Sequence, residues 1–295
     1  MPTARCNDIE ICYETFGRPE DRPLVLIMGM GRQLIHWPDP LCDRLAERGH
    51  YVVRFDNRDM GESTSFEAAG PPDLLAVLRA VEAGESPPVA YDLSDMARDV
   101  VGLMEVLGVN SAHLAGVSLG GMVAQTLAIE HPGRVLTLTS LFSTTGRPGL
   151  PGPSEEGAKL LAKPAPGDFD GYVDHTVESD RVLTGPHVPF DSDRSRHLAA
   201  LAYRRGHSTT AILRQLAAVA ASGSRHERLA QVQVPTLVVH GDADPLIDIA
   251  AGRDTAECIP NARFLCIPGL GHALSAPSWD TLVDEISRLT SAQRA

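Results

Sequence analysis

The sequence is short of the features that mark several broad functions. No run of it approaches the roughly 20 consecutive apolar residues of a membrane helix, so a spanning protein is not expected. Basic residues are outnumbered, with 26 Lys and Arg against 38 Asp and Glu and a formal charge of −12. A nucleic-acid partner would demand the opposite balance. The same field disfavours anionic membranes and the long-range capture of anionic substrates. The five cysteines, Cys6, Cys12, Cys42, Cys258 and Cys266, contain no C-x-x-C pair and no zinc-ligand spacing. This odd, scattered set predicts reduced thiols in a cytoplasmic protein, with no metal and no disulfide framework. The opening Met1-Pro-Thr-Ala-Arg-Cys6 is polar where a secretion signal has its apolar core, so no signal peptide is expected. No internal repeat is visible.

What remains is an ordinary globular composition, 43% hydrophobic and 22% charged over 295 residues, long enough to bury a large core. Ile9 to Tyr13 alternates apolar and polar residues after an Asn7-Asp8 turn, predicting an N-terminal hairpin. Pro23 to Met28 is a continuous apolar run of the kind buried on both faces of a parallel sheet. Further strands are predicted at 51–55, 112–117, 135–142, 235–240 and 262–267. Helical spacing appears at 41–48, 92–107, just after Ser118, and at 279–289. Strands alternating with helices imply a mostly parallel sheet. Residues 71–90 place a short amphipathic helix between proline pairs, an insertion at the rim. From 144 to 230 strand runs cease. Prolines crowd 146–167, including Pro148, Pro151, Pro153, Pro164 and Pro166, and helical polar segments follow. The expected organisation is a core of 1–143 and 231–295 with a helical cap, 144–230, inserted into it.

The chemistry concentrates at strand ends, where parallel sheets gather functional groups. Gly116-Val117-Ser118-Leu119-Gly120 follows an apolar strand and opens a helix. This is the G-x-S-x-G elbow, in which a serine on a tight, strained turn needs small residues two positions away on either side. Serine is a weak nucleophile and needs a base, which in turn needs an orienting carboxylate. Directly after the strands at 235–240 and 262–267 lie Gly241-Asp-Ala-Asp-Pro245 and Gly269-Leu-Gly-His272, so the groups run Ser, Asp, His along the chain. His272 is the expected base. His240 competes but sits inside a strand. Asp244, further into its loop, is better placed to reach His272 than Asp242, whose alternative role is to bind backbone NH groups in the turn. The backbone NH groups of Leu119 and Met30 are the expected oxyanion donors. Gly29, His36, Trp37 and Leu270 are candidates for the substrate pocket, and Met28, Met30 and Met122 could add a soft apolar wall. Asp56-Asn-Arg-Asp59 is read as a loop brace. His175, His187, His197 and His207 are read as solvated. No cofactor is expected, and the oligomeric state stays open.

Met28-Gly-Met-Gly31, Asp56-Asn-Arg-Asp-Met-Gly-Glu-Ser63, Gly116-Val-Ser-Leu-Gly120, His240-Gly-Asp-Ala-Asp-Pro245 and Gly269-Leu-Gly-His272 together resemble the α/β-hydrolase superfamily over nearly the whole chain. Within it the chain is similar to the esterase group that includes aclacinomycin methylesterase and the pimeloyl-carrier-protein methyl ester esterases. The resemblance implies an eight-stranded, mostly parallel sheet flanked by helices. It implies a cap between the sixth and seventh strands, Asp244 as the acid, and cleavage of an apolar small-molecule ester through an acyl-enzyme. Met28-Gly29 stands where the superfamily more often has His-Gly, a departure the methylesterase group shares. C–C bond hydrolases, lactonases, thioesterases and cofactor-free haloperoxidases share the same triad, and a non-catalytic binding protein could keep the scaffold.

Overall fold

The computed structural model describes residues 1–163 and 165–291; Pro164 and the last four residues of the expected C-terminal core segment lie outside the described residues. Among the described residues, eight strands build one sheet: β1 (Thr3–Cys6), β2 (Ile9–Phe16), β3 (Arg22–Ile27), β4 (His50–Phe55), β5 (Ala112–Val117), β6 (Val135–Leu141), β7 (Thr236–Gly241) and β8 (Arg263–Ile267). Their spatial order is β1-β2-β4-β3-β5-β6-β7-β8. The β1–β2 and β2–β4 pairs are antiparallel, and every other pair is parallel. The mostly parallel sheet expected from alternating strands and helices is therefore present. Asn7 and Asp8 turn the N-terminal hairpin with φ of 48° and 63°, the left-handed values that a tight hairpin turn requires.

The period-two pattern of the central strands sets the layers. Leu24 and Leu26 of β3 bury on one face with Val52, Ala115, Val117 and Val239. Val25 and Ile27 bury on the other with Val53, Phe55 and Leu114. Helix α1 (Asp39–Glu47) covers the first face through Leu41 and Leu45. Next in the chain, α2 (Leu74–Ala83) belongs to the 71–90 insertion, and α3 (Leu93–Val106) covers the second face. Helix α4 (Leu119–Glu130) is buried from Leu119 through Ala128. It is almost wholly buried because the sheet and its helical neighbours leave it little solvent side, and its buried Gln125 and Thr126 are hydrogen-bonded.

Between β6 and β7 the chain forms α5 (Glu155–Ala162), α6 (Phe169–Thr184), α7 (Ser192–Arg205), α8 (Thr209–Ser222) and the single turn α9 (His226–Leu229). Helix α5 lies within the proline-rich stretch, where no helix is expected from the sequence. Its local signal is Ser154, whose hydroxyl accepts the Gly157 NH at 3.1 Å, followed by Glu155 and Glu156 in the first turn. Helix α2 packs against α8, so the insertion buttresses this helical layer. The chain ends with α10 (Ile249–Cys258) beside β7 and β8, and α11 (Trp279–Ser291) over the α1 face.

Candidate active site

Ser118 makes the turn between β5 and α4 alone, with φ 55° and ψ −116°. L-residues rarely adopt this conformation, and it persists only where surrounding contacts over-determine it. Here the Ser118 NH donates to Leu141 O at 2.9 Å, and its carbonyl accepts the Met122 NH at 3.1 Å and the Ser143 hydroxyl at 2.8 Å. The two flanking glycines are required by close approach. A Cβ on Gly116 would strike the Gly120 carbonyl oxygen, and one on Gly120 would strike the Ile27 carbonyl oxygen. The elbow's small residues are therefore steric necessities of packing the α4 start against β5 and β3.

The other two groups come from the ends of β7 and β8. His272 Nδ1 lies 2.7 Å from Asp244 Oδ2, with the Asp244 side chain fully buried and that of His272 8% exposed. The second carboxylate oxygen of Asp244 accepts the NH groups of Leu246 and Ile247 at 2.8 and 2.9 Å. Burial by itself pushes Asp244 up. The charge of His272, hydrogen bonds from His240 and His272, and the Ile247 NH outweigh it and hold the carboxyl below the usual carboxylate range. Asp242 takes the role set against it: its Oδ1 accepts the Gly269 NH at 2.6 Å and so fastens the loop that carries His272. That loop is also pinned from above, because the Gly271 and His272 NH groups donate to Thr184 O and Leu183 O at the end of α6, at 3.1 and 2.6 Å. Gly271 has to be glycine, since its Cβ would meet the Leu183 carbonyl.

Among the described residues the hydroxyl of Ser118 makes no hydrogen bond, and it faces the same cavity as His272. The NH groups of Leu119 and Met30 likewise find no acceptor among the described residues. Leu119 opens α4, whose dipole favours negative charge there. The Met30 turn is held from two sides. Asn57 Nδ2 donates to Met28 O at 2.9 Å, and Gln215 Oε1 of α8 accepts the Gly31 NH at 2.9 Å.

Ser118 and His272 share a cavity of about 260 Å³. Met28, Gly29, Met30 and His36 line it from the β3 loop, and α6, α7 and the segment joining them supply Leu183, Pro189, Phe190 and Leu198. Burial, reinforced by the charge of Arg32, lowers His36 to about 3, so it meets the cavity as a neutral ring. Trp37 and Leu270 do not reach the cavity wall. Both are packed in the core between the sheet and α11, at 0% and 1% exposure. Met122 also packs in the core, on the opposite face. His207 is not solvated as expected: its ring lies 4.1 Å from that of Tyr172, and its Nε2 is buried without a partner among the described residues. His187 and His197 are exposed, and His175 is half-buried.

A strand–serine–helix elbow after β5 faces a His–Asp pair delivered by the ends of β7 and β8 in one mostly parallel sheet, in the chain order Ser, Asp, His described for one large hydrolase family. The model of that family, the alpha/beta hydrolase fold, matches residues 22–276. The chain belongs to the alpha/beta hydrolase family. It is 32% identical to rhodomycin D methylesterase DauP of Streptomyces sp. (strain C5) and 31% identical to rhodomycin D methylesterase DnrP of Streptomyces peucetius, with 99% of each chain covered in both cases. Among solved structures it is similar to esterase RhEst1 from Rhodococcus sp. ECU1013, with a TM-score of 0.76 at 22% identity over 99% of this chain and 98% of that one.

Three features of this alpha/beta hydrolase site are not apparent in the sequence. Phe142, just past β6, has φ 50° and places its ring 6.0 Å from His272 and 6.1 Å from His240. His240, fully buried, donates from Nε2 to Ile247 O at 2.8 Å and lies 3.3 Å from Asp244 Oδ2, so it touches the acid while also bonding locally. The Asp56–Asp59 segment braces more than its own loop. Asp56 pairs with Arg205 of α7, Asp59 with Arg214 of α8, and Arg58 with Asp99 of α3. Those partners lie about forty to more than a hundred residues away in sequence and follow no local pattern.

Proposed function

We propose that this alpha/beta hydrolase is a serine hydrolase that cleaves a carboxylic ester, with a methyl ester of a secondary metabolite as the best-supported substrate type. The observation that carries the reading is a serine held at positive φ in the same cavity as a histidine whose other ring nitrogen is fixed on a buried aspartate. In this mechanism His272 Nε2 removes the proton of Ser118 Oγ as it attacks the ester carbonyl. The Leu119 and Met30 NH groups take the developing oxyanion. His272 returns the proton to the departing alcohol, leaving an acyl-Ser118 that water, activated by the same imidazole, hydrolyses. Asp244 holds the imidazole in the required tautomer and stays ionised throughout. The methylesterase activity named for the two Streptomyces relatives supports methanol as the leaving group.

Residues 144–230 act as the cap that sets which acyl group fits, because α6 and α7 supply much of the cavity wall. Reduced cysteines, all five free, fit a cytoplasmic enzyme. Among the described residues no helix is long and apolar enough to cross a membrane. The test is labelling by a fluorophosphonate together with hydrolysis of a methyl-ester panel. Wild type should be labelled at Ser118 and cleave esters, and Ser118→Ala should lose both. Ester turnover persisting in Ser118→Ala would overturn the mechanism.

A further inference from the structure

The cavity wall carries four fully charged side chains, Arg32, Asp180, Asp191 and Arg194. Three have partners. Arg32 is ion-paired with Asp180, whose second oxygen accepts the Ser195 hydroxyl at 2.6 Å. Asp191 caps α7, its Oδ1 accepting the Arg194 NH at 2.9 Å. The Arg194 guanidinium is different. Among the described residues it makes no hydrogen bond and has no carboxylate oxygen within 4.0 Å. It lies over the ring of Trp279, with the guanidinium carbon 5.3 Å from the ring centroid. A stacked ring takes the flat face of the cation and leaves its in-plane N–H donors free. The side chain is also half-buried, and burial pulls it below the ordinary arginine range against the opposing pull of Asp191, Asp180 and Asp39. A partly desolvated cation with unused donors, in a wall that also presents the apolar side chains of Met28, Leu183, Pro189, Phe190, Leu198 and Leu274, is a seat for one anionic oxygen group on a largely apolar ligand.

We infer that Arg194 reads a carboxylate on the acyl part of the ester, so that the preferred substrates are monoesters whose acid component carries a second, free carboxylate. The inference rests on the reading of Ser118 as an ester-cleaving nucleophile with a small alcohol leaving group, since methanol cannot itself extend to Arg194 and only the acyl part can. The overall charge of −12 does not oppose this, because a field spread over the surface is screened within about 10 Å at 0.1 M salt, whereas a partly buried charge acts at contact.

The experiment compares kcat/KM for monomethyl esters of linear dicarboxylic acids, from succinate to sebacate, with methyl esters of equal length ending in a primary amide or a methyl group. Wild type should favour the carboxylate over the amide at one or two chain lengths. Arg194→Met should lower kcat/KM for those acids by about tenfold to a hundredfold, the range of one charge-assisted hydrogen bond, with less than about a twofold change for the amide and methyl series. Arg194→Lys should retain part of the preference, and thermal melts of both variants report folding. The second arm is calorimetric binding of suberate and of octanoate to Ser118→Ala with and without Arg194→Met. Suberate binding that disappears with Arg194→Met, when the wild type cleaves none of the esters, sinks the esterase reading and upholds the subsite. Ester turnover with equal rates for carboxylate and amide ends, or an equal loss on all three series in Arg194→Met, overturns the subsite and leaves the esterase standing.

Discussion

The pair of Asp59 and Arg214 joins the β4 loop to α8 and lends itself to a quantitative test. Arg214 binds the carboxylate through two bonds, Nε to Oδ2 at 2.8 Å and NH2 to Oδ1 at 2.7 Å, and both side chains are at most 2% exposed. Removing the cation by Arg214→Met leaves a buried carboxylate with only the Tyr91 hydroxyl at 2.6 Å and the Phe66 NH at 2.7 Å. Breaking one side of a buried pair costs about 3–5 kcal/mol. The two surviving donors place this case near the lower end, at about 3 kcal/mol. Removing both charges in Asp59→Asn/Arg214→Met leaves no stranded ion, and such replacements are often close to neutral, so a loss of about 1–2 kcal/mol is expected. The coupling in a double-mutant cycle should then be about 2 kcal/mol or more. Urea unfolding of wild type, both single variants and the double, with midpoints compared at constant slope, measures it. A loss below about 1 kcal/mol in Arg214→Met, or a double variant no more stable than that single one, would refute the reasoning.

Asp244→Asn should lower kcat by about ten-thousandfold, since the amide favours the wrong imidazole tautomer. Asp242→Asn, which touches the Gly269 NH and not the imidazole, should cost about tenfold or less, and steady-state kinetics on one methyl ester separates the two. Gly120→Ala drives a methyl group into the Ile27 and Met28 carbonyls, so it should lose about 3 kcal/mol or more; a thermal melt like that of wild type would contradict the steric account. His50 and His113 are held neutral in the core, both lowered to about 4, chiefly by burial. The unfolded chain therefore binds more protons between about pH 6.5 and pH 4, and stability falls as pH falls through that window. At pH 5 each should cost roughly 2 kcal/mol relative to neutral pH, and urea midpoints of His113→Gln should fall less steeply with acid than those of wild type.

Much of the sheet, and the placing of Ser118, Asp244 and His272 just after strands, were legible in the linear pattern. Leu24 to Ile27 alternate between two buried faces, a property of the strand itself that shows as an apolar run. Gly116 answers a local clash with Gly120 and so shows within five consecutive letters, whereas Gly120 is required by the Ile27 carbonyl of the distant strand β3. The choice between Asp242 and Asp244 depended on which acid a neighbouring loop would meet; the fold puts one on the Gly269 NH and the other on His272. The pocket lining was less legible. Trp37 is adjacent to His36, yet only His36 reaches the cavity, because the chain turns between them and buries the indole under the sheet.

By itself the sequence determined the strands, the strained serine, the order of Ser118, Asp244 and His272, and the acidic balance of charge. These follow from chemistry within a few residues or from bulk composition. Only the tertiary structure decided that α6 pins the His272 loop, that Arg205 and Arg214 anchor the upper helices to Asp56 and Asp59, and that Arg194 enters the cavity wall over the Trp279 ring with no ion-pair partner among the described residues. The physical reason is that such pairings join residues far apart in the chain. Their energy depends on burial and on donor geometry, neither of which exists until the sheet has brought the segments together.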